Sequence, residues 1–442
     1  MRGLGRSDMT EQSSSHRLYV PQAPTTYTLE LTSYCNNACV GCGNVFSRGL
    51  GEMPVERWVS LLDRLHPYLD NIRVTGGEPT LHRQFSLIIR AIDCLEVPFV
   101  LFSNGVWESR QEMFSLLLGC SNLDGVLISL HGQNNSSHRQ FVGHDSFEET
   151  VVSIREATQA GLSVNTNTVL NRANYRDVEE IAYFALGLGA GSVAFSRYYG
   201  VPTPVTALND DELLYAIKSV HTLKARNVPV RFNNNVPACF TGYASKSCPA
   251  GITHCTIDPL GNVRPCNHAP VIFGNLFEHS IEVLWHSEQA CWWRDLIPDA
   301  CYRCAEFDSC RGGCKATALQ LGQGQDPLMR SPLAKGLRQD IPRKVTLYEQ
   351  AVPIRNFRIH EEKFGFWLVN RSRTLAVGPD FRQLLGLLDG VHSLRMIQHL
   401  CGQDALNFVG RLYVEGLVHF ANNGPAVADR TDGVHETSTA RR

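Results

Sequence analysis

Between residues 26 and 235, short apolar runs rich in Val, Ile and Leu alternate with longer stretches of helical periodicity. A strand buried on both faces reads as a continuous apolar run, and a strand that returns parallel to its neighbour needs a crossover, usually a helix. The alternation therefore predicts a parallel α/β architecture. Strands are expected at 28–31, 72–74, 99–102, 125–129, 163–168 and 192–196, with helices at 55–65, 147–160 and 211–223. Pro54 suits a first helical turn, and Asp210 or Asp211 a helix cap. Six such units predict a partial or full (β/α) barrel.

A chain of 442 residues exceeds what one core usually organises. Its character changes twice after the barrel. Residues 236–334 are dominated by Cys, Pro and Gly, with helical periodicity only near 281–286, as in small cluster-holding modules. Residues 344–421 resume regular patterning, with a strand pair at 366–369 and 374–377 and helices at 381–388, 394–400 and 405–415. That order predicts a winged-helix-like module. Residues 1–25 and 422–442 are polar and expected to be disordered. With 41 Lys plus Arg against 43 Asp plus Glu, the chain lacks the basic footprint of a general nucleic-acid binder. The N-terminal segment has no apolar core of a secretory signal and no run that could span a bilayer, so a soluble cytoplasmic protein with no membrane partner is expected.

Fifteen cysteines fall into short-spaced groups. In a reducing compartment such grouping points to metal or cluster ligation more than to disulfides. Residues 35–42 read CNNACVGC, so Cys35, Cys39 and Cys42 follow the first expected strand in a C-x-x-x-C-x-x-C spacing. Three thiolates on one loop suit a four-iron cluster whose fourth iron stays open. A structural zinc ion is the alternative, but such sites normally close with four ligands and no histidine lies nearby.

In this place the spacing resembles the radical SAM superfamily. The resemblance implies a partial barrel with S-adenosylmethionine (SAM) on the open iron of a [4Fe-4S] cluster, and a 5′-deoxyadenosyl radical that takes hydrogen from substrate. Members often carry an aromatic or large apolar residue just before the third cysteine. This chain has Gly41 there, so a differently lined adenine pocket is expected. TGGEP at 75–79 resembles the family's GGEP motif, which implies that Gly76, Gly77, Glu78 and Pro79 form the contact to the SAM amino group. Ser103 and Asn104 after the third strand, Ser129 at the end of the fourth, Asn167 in the fifth and Arg197 after the sixth are implied to hold the ribose, methionine and carboxylate of SAM. The plainer reading of polar strand ends is loop starters and caps. His131 stands where the family frequently has an aspartate, and no acid or base role is assigned to it.

Cys248, Cys255 and Cys266 surround an expected hairpin, CTIDPLGNVRPC, with Gly261 and Asn262 in its turn. Cys301, Cys304, Cys310 and Cys314 follow in a C-x2-C-x5-C-x3-C run, which a zinc ion could also close. The combination resembles the SPASM extension of radical SAM enzymes, which binds auxiliary [4Fe-4S] clusters. The resemblance implies Cys248, Cys255, Cys266 and Cys314 on one cluster, and Cys301, Cys304 and Cys310 on a second. The downstream cysteine of the second is missing, and Ala334 stands where it would fall. That leaves an open iron, a ligand such as Asp326, or a single auxiliary cluster. Cys94, Cys120 and Cys401 lie in apolar helical patterns and are expected in the core, while Cys239 and Cys291 read as structural thiols or as hydrogen donors to a substrate radical.

Residues 358–400, with LLDG at 387–390, and GRLYVEGLV at 410–418 resemble the PqqD-like domains called RiPP recognition elements. The resemblance implies that the leader of a ribosomally made precursor peptide adds as a strand to this domain. A merely stabilising domain or a dimer contact is the plainer reading. The expected function is a radical SAM peptide maturase that forms a crosslink or thioether, epimerises a residue or excises a fragment, and takes electrons from a donor such as flavodoxin or ferredoxin. The alternatives are a radical SAM enzyme acting on a small molecule or tetrapyrrole, and a zinc-structured peptide-binding scaffold without activity.

Overall fold

A computed structural model describes residues 18–233, 235–243, 247–333, 347–370 and 374–421. The terminal segments 1–17 and 422–442, and Ala334, lie outside the described residues. The chain divides into two units, residues 1–338 and 339–442.

In the first unit, seven strands run parallel in chain order: β1 (Thr26–Glu30), β2 (Asn71–Thr75), β3 (Phe99–Ser103), β4 (Leu123–Ser129), β5 (Val164–Val169), β6 (Ser192–Ser196) and β7 (Val230–Phe232). The crossovers carry α1 (Val55–Leu65), α2 (Phe85–Asp93), α3 (Arg110–Leu118), α4 (Asn135–Val142), α5 (Phe147–Gln159), α6 (Val178–Gly187) and α7 (Asp210–Ala225). The outward faces of the strands and the inward faces of the helices form one core. Tyr27, Leu29, Ile72 and Val74 from the strands and Trp58, Leu61, Ile88 and Ile154 from the helices are all buried in it. Burying a side chain of this size stabilises the fold by roughly 1.5–3 kcal/mol. α7 starts at Asn209 in a capping box with Glu212, so neither Asp210 nor Asp211 is the cap; both are in its first turn. Pro54 precedes α1 as its N-cap.

The six expected strands gain a seventh at β7, and the sheet also grows at its other edge. A strand from the cysteine-rich region, β8 (His254–Ile257), pairs parallel with β1, placing Cys255 opposite Tyr27. β9 (Asn262–Arg264) and β10 (Gly274–Asn275) follow antiparallel, giving a ten-stranded sheet whose order runs β10-β9-β8-β1-β2-β3-β4-β5-β6-β7. β10 and β7 are its two edges, so the barrel is partial and its bore is open at one side. The rest of the region consists of short helices: α8 (Ala238–Thr241), α9 (Ile281–Trp285), α10 (Glu288–Asp295), α11 (Phe307–Cys310) and α12 (Lys315–Gln320).

The second unit pairs β11 (Pro353–Arg355) with β15 (Val418–Phe420) and builds a three-stranded antiparallel sheet from β12 (Arg358–Glu362), β13 (Gly365–Val369) and β14 (Thr374–Val377). Leu384 of α13 (Arg382–Gly386), Ile397 of α14 (Leu394–Cys401) and Val409 and Leu412 of α15 (Gln403–Val414) bury their apolar sides with Phe366 and Leu368. Among the described residues, no helix is long and apolar enough to cross a membrane.

Candidate active site and auxiliary cysteine groups

The loop with Cys35, Cys39 and Cys42 leaves β1 at its C-terminal end, the end at which β/α barrels place their chemistry. It is pinned from several sides. Gly77 N–H donates to Thr32 O at 2.7 Å and Glu78 N–H to Tyr34 O at 2.7 Å. A Cβ on Gly77 would collide with the Tyr34 carbonyl, so the close approach of the two loops requires glycine. From the far side, Val40 N–H donates to Phe141 O at 2.9 Å and Ala38 N–H to Val142 O at 3.1 Å, docking the loop on the end of α4.

A side chain at position 41 has no room. Its Cβ would lie 2.7 Å from the Phe141 ring and 2.9 Å from Tyr198. The aromatic surface absent from the loop itself is thus supplied by α4 and by the segment after β6.

The Cys39 thiol is pushed up to about 12, first by burial and then by the neighbouring Cys42 and Cys35 sulfurs. The Cys35 thiol is also raised, mainly by burial. The mutual opposition of the three sulfurs places them close together on one loop, as ligands of a shared iron-sulfur group would be.

Glu78, expected beside the SAM amino group, is held by its own strand ends. Its carboxylate is fully buried and engaged by the protein: Oε1 accepts from Thr80 Oγ1 at 2.7 Å and Ser103 Oγ at 2.9 Å, and Oε2 from Asn104 N–H at 2.7 Å. It locks the ends of β2 and β3 together, with Oε1 taken up by Thr80 and Ser103 and Oε2 accepting the Asn104 N–H. Ser103 Oγ also accepts from Trp107 Nε1 at 2.8 Å, so it too is structural. Asn104 reaches Asn36 Oδ1 at 2.7 Å and lies 3.9 Å from Cys35 Sγ, beside the cysteine loop. Ser129 and Asn167 are opposite each other on β4 and β5, and Asn167 accepts from Ser196 Oγ at 2.8 Å.

The Arg197 guanidinium is buried and bidentate to Asp326 through Nη1 and Nη2, at 3.1 and 2.5 Å, while its buried Nε has no protein partner among the described residues. Asp326 also accepts from Cys314 N–H at 2.7 Å, which removes it as a ligand for the second auxiliary group. His131 is buried; its Nδ1 accepts from Val169 N–H at 3.1 Å, and burial, then His138, lowers its basicity. It is a neutral structural imidazole.

The bore beneath the cysteine loop is polar. Strand alternation turns Ile72 and Val74 to the core and Arg73 into the bore, opposite Thr28, whose hydroxyl lies 3.3 Å from His254 Nε2. Arg231 of β7 contacts Ser192 Oγ at 2.9 Å, and its charge, after burial, lowers the pKa of Arg73. Nearer the cysteine loop, at the C-terminal end of β1, Glu30 and Arg264 form a buried ion pair between β1 and the hairpin.

Of the first auxiliary set, Cys248, Cys266 and Cys314 line one cavity with Trp293, Arg294 and Lys315. The Cys248 thiol is raised to about 11 by burial first and Cys314 second. Cys255 is not among them. It pairs with Tyr27 inside the core, on the strand face opposite that of His254 and Thr256, and Thr256 is the residue opposite Arg264. The period of two that makes the hairpin turns this thiol away from Cys266. The second set, Cys301, Cys304 and Cys310, lines a separate space, and Cys239 of α8 joins it. No spacing rule marks Cys239, which stands 62 residues before Cys301. Cys94 and Cys291 are exposed, and Cys120 and Cys401 are half-buried, so Cys94 is not the core residue expected.

The radical SAM superfamily model matches residues 29–185, from β1 to α6, and the SPASM model, an iron-sulfur cluster-binding domain, matches residues 248–314. The chain is therefore a radical SAM enzyme with a SPASM domain, and its cofactors are SAM, a [4Fe-4S] cluster and auxiliary iron-sulfur. It is similar to the PqqA peptide cyclase of Rhizobium meliloti, at 24% identity over 72% of this chain and 90% of the relative. It is also similar to the mycofactocin maturase MftC of Mycobacterium tuberculosis, at 28% identity over 69% and 82%. The crystal structure of Streptococcus suis SuiB bound to precursor peptide SuiA shares the fold, with a TM-score of 0.58 and 16% identity over 70% of this chain and 76% of that one.

Proposed function

We propose that this enzyme matures a ribosomally synthesised precursor peptide. The observation that carries the reading is the three-thiol loop held by Gly77 and Glu78 at the mouth of an open, polar bore. In this reading Cys35, Cys39 and Cys42 hold the cluster that binds SAM, which supplies a reductively generated 5′-deoxyadenosyl radical. Phe141 and Tyr198 wall the space beside Gly41. Glu78 keeps the strand ends in register, so that the Gly76–Gly77 backbone and Asn104 face the cofactor. Arg73, Arg231 and His254 offer donors along the bore to a substrate rich in carbonyl and carboxylate groups. The names of two relatives, a peptide cyclase and a maturase, support a peptide as substrate.

The second unit is the docking site in this proposal. Its sheet, ordered β12-β13-β14, has an edge at β12 and another at β14, and a leader peptide can add there as a further strand. Reduction draws on a donor such as flavodoxin or ferredoxin.

The test is anaerobic reconstitution of the full chain, with 5′-deoxyadenosine release from SAM measured with and without short peptides encoded beside its gene, and their masses followed. Cleavage that is lost in a Cys35, Cys39, Cys42 triple alanine variant, together with a peptide mass change, supports the proposal. Cleavage that never alters a peptide but turns over a tetrapyrrole favours the small-molecule reading. Bound zinc with no cleavage overturns radical chemistry altogether.

A further inference from the structure

We infer that Cys239 is the fourth thiolate ligand of the second auxiliary cluster, taking the place of the downstream cysteine that this chain lacks. The inference rests on the iron-sulfur reading of the SPASM domain and not on the identity of the substrate.

Four thiols surround one small space. Cys301, Cys304 and Cys310 enter from the C-x2-C-x5-C run, and Cys239 enters from α8, with Phe307 and Met329 closing the site with apolar surface. Three of the four sulfurs accept backbone N–H groups, as cluster ligands commonly do. Cys239 Sγ accepts from Arg330 N–H at 3.2 Å, Cys304 Sγ from Leu333 N–H at 3.4 Å, and Cys310 Sγ from Ala238 N–H at 3.5 Å. A Cβ on Gly312 would lie 3.5 Å from Cys301 Sγ, so the turn passes directly over that sulfur. Backbone N–H groups directed at sulfur stabilise thiolates and tune the potential of a cluster.

The segment 329–333, which lies where a downstream ligand would be expected, gives the group two amides and no thiol. The other ligating side chain at this space is Glu306, whose carboxylate accepts from Ser309 Oγ at 2.9 Å. Asp326 is bound to Arg197. Cys239 therefore meets the need for a fourth ligand from the N-terminal side, and the cluster would tie the segment after β7 to the run at 301–310. Cys239 and the run at 301–310 belong to chain regions 62 residues apart that the fold brings together, which explains why Cys239 had no spacing signal.

The experiment uses the full chain reconstituted anaerobically, with Cys35, Cys39 and Cys42 replaced by alanine so that only auxiliary clusters contribute. Iron content and, after reduction with dithionite, electron paramagnetic resonance are compared for this background with Cys239→Ala, Cys301→Ala and Cys94→Ala added singly. Cys239→Ala and Cys301→Ala are expected to lose or shift the same resonance, with loss of up to about four irons per chain, and Cys94→Ala to change nothing. Cys239→Ser should keep iron but shift the resonance, as an oxygen ligand would.

Differential alkylation keeps the test open where a variant fails to fold. In the loaded protein carrying the native cysteine, Cys239 should resist iodoacetamide as fully as Cys301 and become reactive once a chelator removes the cluster, whereas the exposed Cys94 reacts in both. Modification of Cys239 in the loaded protein, or an unchanged resonance in Cys239→Ala where Cys301→Ala abolishes it, overturns the inference. No change in either variant removes a cluster from this group and overturns it as well.

Discussion

The Arg197 guanidinium and the Asp326 carboxylate form a buried bidentate pair that joins the end of β6 to the loop behind the auxiliary cysteines. The same carboxylate accepts the Cys314 N–H, so one side chain couples the barrel to a thiol that lines the first auxiliary cavity.

Removing one partner of such a pair leaves a buried charge uncompensated, at a cost of about 3–5 kcal/mol. Asp326→Asn should therefore lower the urea midpoint of the first unit and reduce the iron retained by the SPASM domain. If Arg197 served SAM alone, the unliganded variant would keep its stability, and urea titration without SAM separates the two.

Glu78 is likewise a buried carboxylate held by protein donors. An amide in its place keeps the volume but loses acceptor capacity toward Thr80, Ser103 and Asn104. Leaving one of these buried donors unmatched costs about 1–3 kcal/mol. Glu78→Gln should lower stability in the absence of SAM, and SAM cleavage should fall because the loop over Cys35 shifts. A variant that loses cleavage at unchanged unfolding midpoint would restore Glu78 as a direct ligand.

Cys255 offers a clean contrast with Cys266. Cys255→Ala deletes a buried sulfur beside Tyr27 and should leave auxiliary iron unchanged, whereas Cys248→Ala, Cys266→Ala and Cys314→Ala should each lower it. Iron and sulfide assays on the four purified variants decide the point. Loss of iron in Cys255→Ala would return it to the ligand set.

What could be read from the chain, and what could not, follows sequence distance. Cys35, Cys39 and Cys42 share one loop, and TGGEP follows its strand directly, so local order was enough to place them. The helix at 55–65 was legible because five of its residues, Val55, Trp58, Leu61, Leu62 and Leu65, repeat at helical spacing and are buried. Cys239 and Asp326 find their partners only through the fold. Spacing grouped Cys255 with Cys248 and Cys266, whereas the structure sets it beside Tyr27, because spacing between cysteines ignores which face of a strand each occupies. The growth of the sheet through β8 was hidden for a related reason: a four-residue strand in a cysteine-rich region carries too little pattern to show its neighbour.

His138 gives the pH dependence. It is buried next to His131, its Nδ1 accepts the His131 backbone N–H at 3.2 Å, and burial lowers its pKa to about 4. In the unfolded chain an imidazole titrates near about 6.5. Between these values the unfolded state binds more protons, so the stability from this group is fully present above pH about 6.5 and is lost as pH falls toward about 4. The loss is at most about 3 kcal/mol. His131, depressed further by burial and by His138, acts in the same direction. His138→Asn should be less stable than the wild type at pH above about 7 but should show a shallower decline on acidification. Urea midpoints measured for both proteins between neutral and mildly acidic pH test this, and parallel declines would show that the buried pair at His131 and His138 does not set the acid sensitivity of the barrel.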